Sequence, residues 1–135
     1  MAAVHDMIAA ANKVRERAYA PYSNFKVGAC LRIDTGELVV GANVENSAYP
    51  QGQCAEASAI GAMIANSNGR RIVEVVVVGG SDVLCTPCGG CRQRLNEFAT
   101  ADMPVHVCGP EGLRQTFTLG ELLPGAFGPH NLDKR

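Results

Sequence analysis

Two cysteines separated by two glycines, in Pro87-Cys88-Gly89-Gly90-Cys91, restrict the fold more than any other stretch of this 135-residue chain. Thiols that close bind a metal or each other, and either choice pins the backbone around them. An apolar, β-branched run at 72–78, broken by the single charge of Glu74, precedes the motif and predicts a strand covered on both faces. Residues 92–98 predict a helix. The motif therefore lies where a buried strand hands over to a helix N-terminus, whose dipole stabilises thiolates.

The remaining segments build around that unit. Apolar residues at three- and four-residue intervals (Val4, Met7, Ile8, Ala11, Val14, Ala18) predict an amphipathic helix over 3–18, with Lys13, Arg15 and Arg17 at its C-terminal end. Pro21 stops it. Strands are expected at 25–33 and 38–44 about a turn at Asp34-Thr35-Gly36-Glu37. A polar loop over 45–53 precedes an alanine-rich helix at 54–66, closed by Asn66-Ser67-Asn68-Gly69. Further strands at 104–108 and 113–118, a short helix at 120–123 and a tail from 125 complete the chain. The order helix, hairpin, helix, strand, helix, strand, strand describes an α/β three-layer sandwich, a mixed sheet of about five strands flanked by helices. One domain over 1–135 is expected from the length.

Charge narrows the partners. Twelve basic residues oppose thirteen acidic ones, for a net charge of −1, so no field draws this chain to nucleic acid. No run approaches the ~18 apolar residues of a membrane span. Ala18-Tyr19-Ala20 mimics a signal cleavage site, but Lys13, Arg15, Glu16 and Arg17 stand where an apolar stretch is required. A cytoplasmic location is expected, where clustered cysteines hold metal or catalyse more often than they form disulfides.

Cys88 and Cys91 alone do not complete a zinc site. The other sulfur donors are Cys54, Cys85, Cys30 and Cys108, and Cys54 stands out because it too opens a helix after a glycine-containing loop. Glu56, two residues on, decides the chemistry: three protein ligands leave a position for water, whose pKa zinc lowers to about 7, and a carboxylate beside that water moves its proton. The competing reading is a closed four-cysteine site including Cys85, a structural zinc module. An iron–sulfur run would need cysteine at Leu95. Cys30 and Cys108, in apolar strands, read as small buried hydrophobes. His5, His106 and His130 have no nucleophile partner at a telling spacing.

A glutamate that is not a ligand, beside a tri-cysteine zinc set, is a signature of zinc deaminases. The chain resembles the small homotetrameric zinc-dependent cytidine deaminases over nearly its whole length. The likeness rests on Ala20-Pro21-Tyr22-Ser23-Asn24-Phe25-Lys26-Val27-Gly28-Ala29, Gly41-Ala42-Asn43-Val44-Glu45-Asn46-Ser47-Ala48-Tyr49, Cys54-Ala55-Glu56, Pro87-Cys88-Gly89-Gly90-Cys91-Arg92-Gln93 and Leu122-Leu123-Pro124-Gly125-Ala126-Phe127, in that order.

The resemblance implies one Zn2+ per subunit on Cys54, Cys88 and Cys91, with Glu56 as proton shuttle. It implies Phe25 packing near the pyrimidine, Asn43 and Glu45 on the ribose hydroxyls, and Phe127 offered to a neighbouring subunit of a homotetramer. An Asn–Glu pair suits a sugar diol, offering donors and acceptors together. For Phe25 the alternative is a core position at a strand start. The implied reaction is hydrolytic deamination of cytidine and deoxycytidine in pyrimidine salvage, a zinc-activated water attacking C4 of the base. A related aminopyrimidine nucleoside, as in blasticidin-S-type deaminases, is the runner-up substrate. One position departs from the family: Ala57 stands where arginine is usual. Three thiolates on Zn2+ sum to −1 and Glu56 adds another charge, so a nearby cation is expected. Arg92, next to Cys91, is the candidate, alone or with Arg94.

Overall fold

Every second residue of the central strands faces a different helical layer, and this alternation builds the molecule from both sides. A computed structural model describes residues 3–132; residues 1–2 and 133–135 of the expected domain lie outside them. The elements are α1 (Val4–Arg15), β1 (Val27–Ile33), β2 (Leu38–Ala42), α2 (Ala55–Asn66), β3 (Ile72–Gly79), α3 (Gly89–Asn96), β4 (Pro104–Gly109), β5 (Gly112–Thr118) and α4 (Leu119–Leu122). Single 3-10 turns lie at Tyr49–Gln51 and Pro129–Leu132. The strands form one sheet in the order β2-β1-β3-β4-β5. Only β3 and β4 run parallel; the other neighbours are antiparallel.

Leu31, Val75, Val77, Val105 and Val107 face a core with Ala59 and Met63 of α2, Leu95 of α3 and Leu119 of α4. Cys30, Val76, Val78 and Cys108 turn the other way, onto Met7 and Ala11 of α1. This is the expected three-layer sandwich: a strand buried on both faces keeps its period of two, yet both sets of side chains are apolar. Cys30 and Cys108 are buried as expected, and burial pushes their thiols up to about 12 and about 11.

The first helix ends at Arg15 and the second strand at Ala42, short of the expected 18 and 44, and two further differences bear on the site. The first strand begins at Val27, not at residue 25. Asn24 adopts a left-handed conformation (φ 58°), turning the chain, and the Asn43 side chain takes the backbone bonds that strand pairing would otherwise make. The helix expected at 92–98 begins three residues earlier, at Gly89, with Cys88 as its N-cap. Two glycines in the first turn are poor helix formers, yet tertiary packing of Leu95 holds the helix and draws the whole Cys-x-x-Cys segment into its start.

Candidate metal centre

The C-terminal end of β3 and the entry to β1 lie side by side, with Val27 paired to Gly79, and two helix N-termini meet there. Cys54 is the N-cap of α2 and Cys88 the N-cap of α3; neither thiol caps its own helix, so both remain free for a ligand. Gly41 brings the α2 N-terminus close to the sheet, since a Cβ on it would run into the backbone of Ala55 and Ala59. Gly79 makes room for Cys85 in the same way.

The sulfurs of Cys54, Cys88 and Cys91 all lie within 4.8 Å of one another, and those of Cys54 and Cys88 are 3.7 Å apart. That spacing is far too long for a disulfide. It matches the edge of a tetrahedron of sulfurs about 2.3 Å from zinc, roughly 3.8 Å. The donor set is soft and thiolate, as zinc prefers, so the residues present fit the ion. Cys85 is not part of the sulfur cluster among the described residues; it borders the adjacent cavity, and burial raises its thiol to about 11. The closed four-cysteine arrangement is therefore not what the fold builds.

Glu56 sits in the first turn of α2 with only 4% of its surface exposed. Burial raises its carboxyl above the ordinary carboxylate range, against its own backbone N–H, the Cys91 thiol and the charge of Arg94. Burial likewise raises the Cys54 thiol, with the neighbouring Cys88 adding to it. At Cys88 burial acts in the same direction but is outweighed, first by the Cys91 backbone N–H, and the thiol falls below its ordinary value.

The centre opens into a cavity of about 250 Å³ lined by Phe25, Val27, Asn43, Cys54, Glu56 and Cys88, among others. Phe25, 40% exposed, stands at this cavity and not in the core. Asn43 accepts from the Val27 N–H (2.9 Å) and donates to the Phe25 carbonyl (2.9 Å), which sets the position of Phe25. Glu45 lies elsewhere, in a cavity of about 340 Å³ with Tyr22, Ser23, Asn46 and Tyr49. Its carboxylate accepts from the N–H groups of Tyr22 (2.9 Å) and Ser23 (3.1 Å) and from the Ser23 hydroxyl. The Ser23 bond leads in holding it below the ordinary carboxylate range. Phe127 is outside both cavities and 59% exposed, its carbonyl tied to α3 by Gln93 (2.8 Å) and Asn96 (3.0 Å).

Arg92 and Arg94 separate cleanly. The Arg92 guanidinium donates to the Pro87 carbonyl (2.7 Å), the Leu122 carbonyl (2.9 Å) and the Thr86 hydroxyl (3.2 Å), clamping the loop before α3 to the C-terminal segment. Arg94 instead places Nη1 3.7 Å from Cys91 Sγ. Sequence reasoning gave Arg94 second place; its position three residues after Cys91, on one helix face, is the signal that favours it.

Comparison with known proteins agrees with this geometry. The family model for the cytidine and deoxycytidylate deaminase zinc-binding region matches residues 1–107. A cytidine deaminase from Sporosarcina psychrophila is 40% identical over 129 residues, 96% of this chain and 94% of that protein. One from Halalkalibacterium halodurans is 41% identical over 128 residues, covering 94% and 96%. The crystal structure of cytidine deaminase from Burkholderia pseudomallei superposes with a TM-score of 0.85 at 39% identity, over 93% of this chain and all of that one. Because the matched stretch carries all three sulfurs and Glu56, and the likeness runs along nearly the whole chain, this protein belongs to the cytidine and deoxycytidylate deaminase family.

Proposed function

We infer that this chain is a zinc-dependent hydrolase that converts cytidine and deoxycytidine to uridine and deoxyuridine, releasing ammonia, in pyrimidine salvage. One observation carries the reading: the Cys54/Cys88/Cys91 sulfur cluster and the buried Glu56 open together into a cavity with Phe25 and Asn43 on its walls. Cys54, Cys88 and Cys91 would hold one Zn2+ per chain, which when bound supplies Lewis-acid activation of a water.

The chain's own residues do the rest. Glu56, buried and flanked by two of the thiols, takes the proton released as water adds to C4 and delivers it to N3 of the base. It then moves the remaining proton of the added hydroxyl to the amino group, so that the C4–N bond breaks as the C4=O bond of the product forms, and ammonia leaves. Its burial supports the role, because withdrawal from water raises the carboxyl and makes it a better proton acceptor than an exposed carboxylate. Phe25 offers an aromatic face to the pyrimidine. Asn43 keeps one N–H and one lone pair beyond its two backbone bonds, enough for a ribose hydroxyl. Glu45 lines the adjoining cavity and is tied through the Ser23 hydroxyl to the Phe25 N–H (3.0 Å); a ribose that reaches across from Asn43 would give it the other hydroxyl, taken by its remaining lone pairs. Arg92 holds the loop that presents Cys88. Phe127, anchored through its backbone and free in its side chain, completes the site of a neighbouring subunit in a homotetramer. A thiolate ligand set suits a reducing cytoplasm.

The test measures zinc content and the fall in cytidine absorbance on one purified sample. We expect about one zinc per chain and turnover of cytidine. Glu56→Gln should keep the zinc and lose activity by at least ~100-fold, the usual worth of a positioned proton carrier. A wild-type protein that holds zinc but leaves cytidine untouched would overturn the substrate assignment, and a Glu56→Gln enzyme at normal rate would overturn the mechanism.

A further inference from the structure

We propose that Arg94, given room by the missing side chain of Gly90, is the cation that offsets the negative charge of the metal-binding thiolates. The inference rests on the zinc reading above and concerns which residue of this chain makes that site tolerable. Three thiolates exceed the charge of one Zn2+ by one, and Glu56 stands beside them. Glu56 and Cys91 are buried, although Cys54 is half-buried and Cys88 exposed, so an uncompensated excess on the Cys91 side of the cluster is costly. A cation must therefore face the cluster.

Two observations point to Arg94 and not to its neighbour. First, Arg94 Nη1 lies 3.7 Å from Cys91 Sγ, a charge-assisted contact with a ligand atom, whereas the three donor nitrogens of Arg92 are taken by oxygens of Pro87, Leu122 and Thr86. The position is unusual in direction. Arg94 is in the last turn of α3, yet its head folds back toward the turn that carries Cys91. Second, the path of that fold crosses Gly90. A Cβ placed on Gly90 would stand 3.1 Å from Arg94 Nη1 and 4.0 Å from its Cζ, and would meet nothing else within 4 Å. A glycine costs helix stability in the first turn of an eight-residue helix, and what it provides here is space for this guanidinium. Position 57, half-buried one turn after Cys54, holds alanine and contributes no charge. Arg94 is thus a positioning residue that acts on the metal through Cys91.

The test follows zinc loss from the loaded enzyme to a chromophoric chelator, in parallel with thermal unfolding. Arg94→Met keeps the alkyl stem and removes the charge; we expect roughly tenfold weaker zinc retention, the lower end of what removing a group behind a metal ligand costs. Arg94→Lys restores charge and should hold zinc distinctly better than Arg94→Met. Gly90→Ala adds one methyl and a better helix former, so its unfolding temperature should hold or rise while its zinc retention falls. A purely structural role for either residue would not move the two readouts in opposite directions. Arg94→Met retaining zinc as tightly as wild type, Arg94→Lys falling as far as Arg94→Met, or Gly90→Ala retaining zinc like wild type would each overturn the proposal. These outcomes are distinct from failure of the zinc reading itself, in which the wild-type protein would carry no zinc to lose.

Discussion

Gly41 governs the site without touching it. It lies in β2 opposite Ala29, beneath the start of α2, and a Cβ there would come within 2.6 Å of the Ala55 carbonyl oxygen and closer still to the Ala59 nitrogen. Those atoms belong to the turn that presents Cys54 and Glu56, and backbone cannot swing aside as a side-chain tip can. Gly41→Ala should cost about 1–3 kcal/mol, the usual range for overpacking, read as a lower denaturation midpoint at unchanged slope. Weaker zinc retention should accompany it, because the α2 N-terminus must lift. At this scale the sequence was informative about chemistry and silent about direction. Cys54, Cys88, Cys91 and Glu56 could be named from spacing and chemistry. That Asn43 spends its amide on the Val27 and Phe25 backbone, or that Arg94 and not Arg92 turns to the sulfur, depends on rotamers set by packing.

Among the elements, the strands carry a polar ladder that crosses the sheet on its α1 side. Arg32 of β1 donates from Nε to Glu74 Oε1 (2.9 Å); Glu74 Oε2 lies 2.5 Å from His106 Nε2 of β4; His106 Nδ1 lies 2.9 Å from the Thr116 hydroxyl of β5. Arg32 and His106 are buried, and Met7 Sδ of α1 covers the guanidinium. Glu74 was visible in the sequence as the one charge in an apolar strand, and burial alone would raise its carboxyl. The bonds from His106 and Arg32 outweigh that, leaving it below its ordinary value of 4.5. A carboxyl depressed by folding stabilises the native state above its unfolded value and loses that contribution as pH falls through its folded one. Glu74→Gln should therefore destabilise by roughly 3 kcal/mol at neutral pH, near the lower cost of leaving a buried partner uncompensated. The gap to wild type should close as the pH drops below 4.5, measured by urea unfolding across pH. An equal gap at pH 3 and pH 7 would sink this account. The ladder itself was illegible beforehand, since it joins residues 42 and 32 positions apart through strand register.

For the whole molecule, the described chain exposes a set of large apolar residues near its cavities. Tyr49 is 75% exposed, and Tyr22, Phe25 and Val44 are also accessible, with the Tyr22 and Tyr49 rings 5.9 Å apart. Exposed apolar surface of that kind marks a ligand groove or an interface, and the expected homotetramer is a separate question that the chain mass in solution decides. Light scattering should give four times the chain mass. Phe127→Ala should leave that mass unchanged and lower cytidine turnover, because the carbonyl of residue 127, not its ring, fastens the tail to α3. A variant with wild-type turnover would mean that the ring serves no neighbouring site.

The sequence by itself determined the fold class and the metal-binding vocabulary. A near-continuous run of β-branched residues specifies a strand buried on both faces, and cysteines at helix starts beside a glutamate specify a small set of reactions, because these depend only on local spacing and residue chemistry. Tertiary structure decided the rest: that Cys85 stays outside the cluster, that Phe25 lines a cavity instead of the core, that Glu45 lies in a separate cavity, and which arginine faces the thiolates. Each of these is a meeting of groups far apart in the chain or a choice among rotamers, and its energy depends on neighbours that only the packed sheet and helices bring together.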